Sequence, residues 1–206
     1  MGFNLGNTNI GSLYVGSTKI GSAYLGSTKV YESSVIPPVP TFDEVTIGTQ
    51  TWMSKNLSYD DGLGGIITKT VNYGNGNITE YYYNWTAAVR IANYISGWHL
   101  PIEDEFITLA NYAGGESSAG RKLKSKYGWN GGGNGSNVYK FAAFPAGQIN
   151  SSTWNDKYSY AGFWTATEYS ATHARIRTFV YDSSRMSGAR SAKTDNFYSV
   201  RLVKDS

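Results

Sequence analysis

The side chains best suited to specific recognition lie near the C-terminus, in the stretch 170–196. Four of the seven arginines of the chain fall between positions 175 and 190. If residues 175–181 form a β-strand, its successive side chains point to opposite sides. One face then carries Arg175, Arg177, Phe179 and Tyr181, and the other carries Ile176, Thr178 and Val180 and can serve the core. Since arginine and large aromatic residues dominate binding hot spots, the first face predicts a ligand-contacting surface.

Neighbouring residues extend this predicted surface beyond the strand. The further candidate contact residues are Tyr169, Thr172, His173, Ser184, Arg185, Ser187, Ala189 and Arg190. The alternative interpretation is an ordinary exposed strand, on which arginine stems lie over aromatic rings. A nucleic-acid partner is not expected, because four arginines interspersed with serine and alanine form a weak electrostatic footprint in a chain of net charge +3.

Covalent and metal-dependent chemistry is not expected from the composition. The chain has no cysteine, and its two histidines, His99 and His173, are too few for a histidine-rich metal site. His99 is interpreted as a structural residue at a strand end. The tripeptide 154–156, Trp-Asn-Asp, offers one amide–carboxylate pair, whereas calcium takes about six to eight oxygen ligands. We therefore predict a protein with no catalytic residue, no metal and no cofactor.

Three regions are predicted along the chain. Residues 1–32 hold a ten-residue repeat, GNTNIGSLYV, GSTKIGSAYL and GSTKV, which indicates short strands joined by tight turns. The apolar side chains of this region are expected to pack against further copies or a larger assembly. They are Leu13, Val15, Ile20, Tyr24, Leu25 and Val30. The alternative is a flexible N-terminal leader. The proline-rich residues 33–41 predict an extended linker, and residues 42–206 predict one α+β domain.

Within that domain the residue patterns predict a small number of helices and strands. Residues 45–52 predict a hairpin that turns at Gly48, and residues 84–92 predict a helix. A second helix is predicted over 101–110, with Pro101 in its first turn and acidic residues after it. The Gly-, Ser- and Asn-rich stretch 114–137 predicts long loops. Short strands are predicted at 139–144, 162–166, 175–181 and 199–203.

Several sequence blocks within residues 42–205 resemble the Fibrobacter-type major paralogous (FISUMP) domain. They are VTIGTQTWMSKNL at 45–57, YNW at 83–85, GWHLP at 97–101, AGRKLKS at 119–125, FPAG at 144–147, GFWTATE at 162–168 and YSVRLV at 198–203. The resemblance implies a C-type-lectin-like fold related to the formylglycine-generating-enzyme branch. Enzymes of that branch require active-site cysteines or a histidine-rich iron site, which this composition does not supply, so the enzymatic function is not carried over.

The resemblance also implies what the stretch 170–196 does. In some members this region is diversified by a retroelement that mutates adenines, which converts Asn codons to many residues but never to Lys, Met, Trp, Gln or Glu. Between positions 170 and 199 only Met186 and Lys193 belong to that excluded set, and both are interpreted as fixed positions. We therefore expect a receptor-binding protein of a phage or prophage tail, which recognises a bacterial cell-surface protein or glycan.

The alternative function is a bacterial cell-surface FISUMP adhesin or structural protein with a fixed ligand. A degenerate oxidase is a further alternative, and it predicts uptake of iron or copper. Location is accordingly expected in the virion or at the bacterial surface. No signal peptide and no membrane insertion are expected, because the N-terminus lacks an apolar core segment and no apolar run reaches about 18 residues. Self-association through the N-terminal repeats, as a trimer, is expected by analogy with tail tips.

Overall fold

The computed structural model describes residues 14–15, 18–19, 22–25, 28–32 and 38–205, and of residues 14–32 it describes the backbone alone. The chain divides into two units, one formed by residues 1–38 with 61–63 and the other by residues 39–60 with 64–206.

The first unit contains two antiparallel hairpins. Strand β1 (Tyr14–Val15) pairs with β2 (Thr18–Lys19), and β3 (Ser22–Leu25) pairs with β4 (Thr28–Glu32). These pairs fall in the repeat region, where short strands and turns are predicted. The apolar face predicted from Leu13 to Val30 lies outside the described side chains, as do linker residues 33–37, and the predicted self-association stays a prediction.

In the part of the chain that the structure describes, the second unit is an α+β arrangement of antiparallel strands and three helices. Its strands are β5 (Glu44–Ile47), β6 (Gln50–Met53), β7 (Ile66–Asn72), β8 (Asn77–Tyr83), β9 (Trp98–His99), β10 (Gln148–Asn150), β11 (Thr153–Asn155), β12 (Tyr160–Glu168), β13 (His173–Val180), β14 (Ser187–Ala192), β15 (Asn196–Phe197) and β16 (Val203–Lys204). The helices are α1 (Trp85–Ala92), α2 (Glu103–Tyr112) and α3 (Glu116–Leu123), with a 3₁₀ turn at Asn130–Gly132.

The strands form three sheets and one separate hairpin. The sheets have the strand orders β5-β6-β16-β9, β12-β13-β14 and β11-β10-β15, and β7 pairs with β8 alone. The predicted hairpin at 45–52 is confirmed, with Gly48 at φ +63° between its strands. Gly48 also lies against the ring of Tyr112, so glycine satisfies both the backbone angle and the space at this turn. The β7–β8 hairpin was not predicted, although its Gly-Asn-Gly turn is a hairpin signal.

Two of the helices begin at signals that the local sequence provides. Asn84 precedes α1, and its Oδ1 accepts a hydrogen bond of 2.8 Å from the N–H of Ala87. Helix α2 begins at Glu103 with three acidic residues in its first turn, as the sequence indicates. The expectation that Pro101 lies in that first turn is wrong: it precedes the helix, and its carbonyl accepts a hydrogen bond from the N–H of Ala166.

Three predicted segments differ in the structure, and the first is the strand predicted at 199–203, of which only Val203 is part of a strand, β16. Helix α3 lies within the stretch predicted as loop; its composition is poor for a helix, but Ala119, Gly120 and Leu123 are buried. A Cβ atom on Gly120 would collide with the backbone carbonyl of Arg185, so α3 packs directly on the chain after β13. The strand predicted at 139–144 is absent from the described residues, because Lys140 and Ala142 have φ +60° and +50°, which lie outside the β region.

Aromatic side chains fill the two main clusters of buried residues. One contains Trp52 and Phe106, whose ring centroids lie 4.9 Å apart, and the other contains Trp164 and Tyr198, at 5.0 Å in an edge-to-face arrangement. Strands β12 and β13 supply residues to both clusters. Among the described helices, none is long and apolar enough to cross a membrane.

His99, at the end of β9, lies between two carboxylates. Its Nδ1 is 2.6 Å from Asp205 Oδ1, and its Nε2 is 2.8 Å from Glu105 Oε1. Partial burial lowers the pKa of His99, but the hydrogen bonds with Asp205 and Glu105 outweigh burial and hold this pKa above its ordinary value. His99 therefore links the edge of the sheet to helix α2 and is a structural residue.

Because the pKa of His99 is raised on folding, its protonated form stabilises the fold fully below about pH 6.5, and this contribution is lost as the pH rises through the folded-state pKa. We expect the stability advantage of the native chain over His99→Gln to shrink as the pH rises above about 6.5. The change should not exceed about 1 kcal/mol, since His99 is two-fifths exposed and solvent screens the pair. Urea unfolding of both proteins measures it, and a difference independent of pH would contradict the assignment.

Candidate functional site

Strand β13 is the middle strand of its sheet, and it is covered on both faces. Ala174 and Ile176 are buried in one core cluster, as expected for the inner face. Phe179, on the opposite face, is fully buried against Phe163, with ring centroids 6.0 Å apart. The prediction that Phe179 faces solvent is therefore wrong.

Arg177 is likewise buried, with 3% of its side chain exposed. Its Nη1 donates to Glu116 Oε1 at 2.5 Å, and its Nη2 donates to Glu103 Oε1 at 3.1 Å. These glutamates are the first residues of α3 and α2, so one guanidinium ties both helix N-termini to the sheet. The prediction that Arg177 is a surface contact residue is wrong, because the two helices cover the face on which it lies.

Tyr181 follows the strand and is half-buried, with its ring packed against the first core cluster. Its N–H donates to the carbonyl of Ser159. Ala189 also packs partly against a core cluster, opposite Ile176 in the register, and Ser187 pairs with Thr178. Ser187 and Ala189 therefore point to the face opposite Arg190. The predicted surface is not continuous through these two positions.

Three of the predicted residues come together at the exposed end of the sheet. Arg175 on β13 and Arg190 on β14 are directly opposite each other, and their Cζ atoms lie 4.7 and 4.6 Å from the ring centroid of Tyr169. Tyr169 is 46% exposed and Arg190 is exposed. We call Tyr169, Arg175 and Arg190 the arginine–tyrosine cluster. Like charges opposite each other on neighbouring strands repel, and the π-face of Tyr169 offsets this repulsion.

Glu103 anchors one side of the arginine–tyrosine cluster. Its Oε2 lies 3.4 Å from Arg175 Nε, while its Oε1 accepts from Arg177. Glu103 was not among the predicted site residues. An acidic first helical turn, in a chain with a local excess of arginine, is a signal for glutamate–arginine pairs of this kind. The neighbouring Ile102 is 47% exposed and adds an apolar side chain close to this anchor.

Thr172 lies in the turn before β13 and His173 begins that strand, at the edge of the cluster. The N–H groups of Tyr169 and Ser170 both donate to the carbonyl of His173, which closes a tight turn. Thr172 Oγ1 lies 2.9 Å from His173 Nδ1. These contacts fix the backbone while Thr172 stays exposed and His173 half-buried.

Ser184 and Arg185, after β13, are exposed but lie against helix α3. The Ser184 hydroxyl donates to the carbonyl of Ser117 at 2.9 Å. Met186 is fully buried, and the ammonium of Lys193 donates to Glu168 Oε2 at 2.5 Å while lying 4.3 Å from the ring centroid of Trp85. Both residues interpreted as fixed are therefore held inside the fold.

The Trp-Asn-Asp tripeptide spans the end of β11 and the residue after it. Asp156 has φ +57°, and its Oδ2 accepts a hydrogen bond from Gln148 Nε2. Within the part of the chain that the structure describes, no group of three or more His, Cys, Asp or Glu side chains is placed to hold a metal ion.

Comparison with known proteins gives one family. The model of the Fibrobacter succinogenes major domain matches residues 45–204, which include every site residue described above. No curated protein and no solved structure gives a significant match.

Proposed function

The chain belongs to the Fibrobacter succinogenes major domain family, and for this member we propose a non-catalytic function, recognition of a bacterial cell-surface protein or glycan. The contact surface is the arginine–tyrosine cluster with Thr172 and His173 at its edge. The observation that carries the proposal is the placement of two arginines and a tyrosine, residue types of binding hot spots, at the exposed end of a sheet whose middle strand, β13, is largely buried.

Rigidity of the surrounding residues supports this function. Arg175 is held by Glu103 and by the Tyr169 ring, so a partner that binds its guanidinium immobilises few further side chains. Binding surfaces that are ordered beforehand lose less entropy on association. Arg190 stacks on Tyr169 from the neighbouring strand and leaves its hydrogen-bond donors exposed to solvent.

We further propose that the fold is C-type-lectin-like and that the surface is diversified by a retroelement. In this proposal the exposed positions vary while the buried ones, among them Arg177, Phe179 and Met186, stay constant. The protein would act in a phage or prophage tail, where several copies assembled through the N-terminal repeats raise weak affinities by avidity.

Binding of the labelled chain to intact bacteria tests the function. We expect the native chain to label at least one strain of the bacterial species that carries the gene, and Arg190→Ser to lower its affinity about tenfold, a hot-spot effect. Lys126→Ser, which removes one exposed positive charge outside the cluster, is the matched control and should bind like the native chain. Equal binding by all three proteins would contradict the proposal.

The second candidate function is that of a cell-surface adhesin with a fixed ligand. Comparing the sequences of sibling genes distinguishes it from a diversified receptor-binding protein. Diversification requires variation at Thr172, His173, Arg175 and Arg190, with a reverse transcriptase gene nearby. Constant residues at these positions would favour the fixed adhesin and reject diversification, whatever the result of the binding assay.

A further inference from the structure

A second concave site lies in the same unit and shares no residue with the arginine–tyrosine cluster. It is a cleft of about 520 Å³ between strand β5, the chain after β6, strand β8 and the segment 140–144. Its lining includes Asn56, Ile78, Glu80, Tyr127, Lys140 and Phe144. This volume is within the range of about 300–1,000 Å³ that small-molecule sites occupy.

The floor of the cleft holds a buried carboxylate. Glu80 is 5% exposed, its Oε2 accepts from Asn56 Nδ2 at 3.0 Å, and its Oε1 accepts from the Tyr73 hydroxyl at 3.2 Å. Burial raises the pKa of Glu80, while these two hydrogen bonds and the charge of Arg201 act in the opposite direction. Each carboxylate oxygen can accept a further hydrogen bond. Glu80 is therefore an acceptor for a donor that enters the cleft.

One wall of the cleft is aromatic. Tyr127 and Phe144 lie with ring centroids 5.4 Å apart, and Tyr127 is 37% exposed, as is Ile78 on the neighbouring strand. Exposed aromatic rings beside a polar floor suit a ligand with one apolar face and one hydrogen-bonding edge.

The charges around the cleft favour a neutral ligand. At the rim, Lys55 pairs with Asp43 and Glu44 pairs with Lys204, each at 2.7 Å. At the floor, the charge of Glu80 is balanced by Arg201, whose Nη2 donates to Asn56 Oδ1 at 2.6 Å while Asn56 donates to Glu80. An anion would meet the Glu80 carboxylate, and a cation would meet the charge of Lys140, which lines the same cleft. A neutral group that donates through hydroxyls meets neither penalty.

Residues of the chain itself also organise the walls of the cleft. Arg201 fixes the segment 140–144 next to the cleft, because its guanidinium donates hydrogen bonds to the carbonyls of Phe141 and Ala142 as well as to Asn56. Lys140 and Ala142 have left-handed backbone angles, which cost free energy in non-glycine residues and occur often at ligand sites.

We propose that this cleft binds one neutral sugar unit, with a hydroxyl donating to the Glu80 carboxylate and the apolar ring face packed on Tyr127. Asn56 provides a second polar contact beside Glu80. The site is independent of the function proposed for the arginine–tyrosine cluster, and it gives the chain a second, small-ligand contact with glycosylated surfaces.

Saturation-transfer NMR and titration calorimetry on the full chain test this proposal with the methyl glycosides of glucose, galactose, mannose and N-acetylglucosamine. We expect saturable binding of at least one of them, with a Kd on the order of 1 mM. Tyr127→Ala should weaken this binding at least tenfold, and Glu80→Gln, which keeps the side-chain shape, should weaken it similarly. Tyr94→Ala, which removes a similarly exposed tyrosine outside the cleft, should leave this binding unchanged.

Three other outcomes would contradict the proposed sugar site. Absence of saturable binding to all four glycosides, an equal loss in Tyr94→Ala, or preferential binding of the cation choline would each reject it. If Glu80→Gln lowers the melting temperature strongly, Tyr127→Ala decides, because its ring lies at the surface. Arg190→Ser should bind the glycoside like the native chain, so failure of one site is distinguishable from failure of the other.

Discussion

Replacing Phe179 by alanine is expected to lower the free energy of unfolding by about 3–5 kcal/mol. The ring is fully buried, and it contacts Phe163 and Phe141 with ring centroids 6.0 and 6.5 Å away. Truncation removes this burial and leaves a cavity that the surrounding aromatic rings cannot close without leaving their preferred packing. Urea unfolding followed by tryptophan fluorescence measures the loss.

Arg175→Ala is the matched control on the same strand. Its side chain is 36% exposed, and removing its contacts with Tyr169 and Glu103 should cost no more than about 1 kcal/mol. Similar losses for the two variants would contradict the assignment of Phe179 to the scaffold and Arg175 to the surface. That assignment decides which positions can be substituted without unfolding the chain.

The burial of Phe179 and Arg177 and the formation of helix α3 both depend on packing between distant segments, which the local sequence does not reveal. Strand alternation correctly indicates that Arg175, Arg177 and Phe179 share a face, but it carries no information about what covers that face. The cover comes from α2 and α3, whose first residues lie 74 and 61 positions away from Arg177 along the chain. Because α3 is rich in glycine and serine, its sequence favours a loop, and only its packing makes it helical.

Local signals succeeded where neighbouring residues determine the structure. The hairpin at Gly48, helix α1 after Asn84 and the acidic start of α2 each depend on contacts within a few residues. The prediction of a strand at 139–144 was wrong for the opposite reason, because distant contacts determine the structure of this segment. Its apolar residues alternate as in a strand, but the carbonyls of Phe141 and Ala142 turn towards Arg201, about 60 residues later in the chain.

Arg201→Met is expected to destabilise the chain by about 3–5 kcal/mol, as breaking a buried ionic network does. Arg201 is fully buried, and its guanidinium lies 4.6 Å from the ring centroid of Phe141 and serves three carbonyls and the Asn56 amide oxygen. Without it, these acceptors lose their donors, and the Glu80 carboxylate loses its countercharge. Arg121→Met, at an exposed arginine, is the control and should change stability by less than about 0.5 kcal/mol.

Combining Arg201→Met with Glu80→Gln separates the charge balance from the rest of this loss. If Arg201 neutralises Glu80, removing both charges should cost less than the sum of the single changes, by about 0.5–3 kcal/mol. Strict additivity would show that the two residues do not interact. A buried guanidinium is a weak source of net stability, and among the described residues Arg201 Nε has no hydrogen-bond partner. Since a buried ionic network of this kind contributes little net stability, the arrangement of Arg201, Asn56 and Glu80 is better explained by the cleft that it organises than by stability alone.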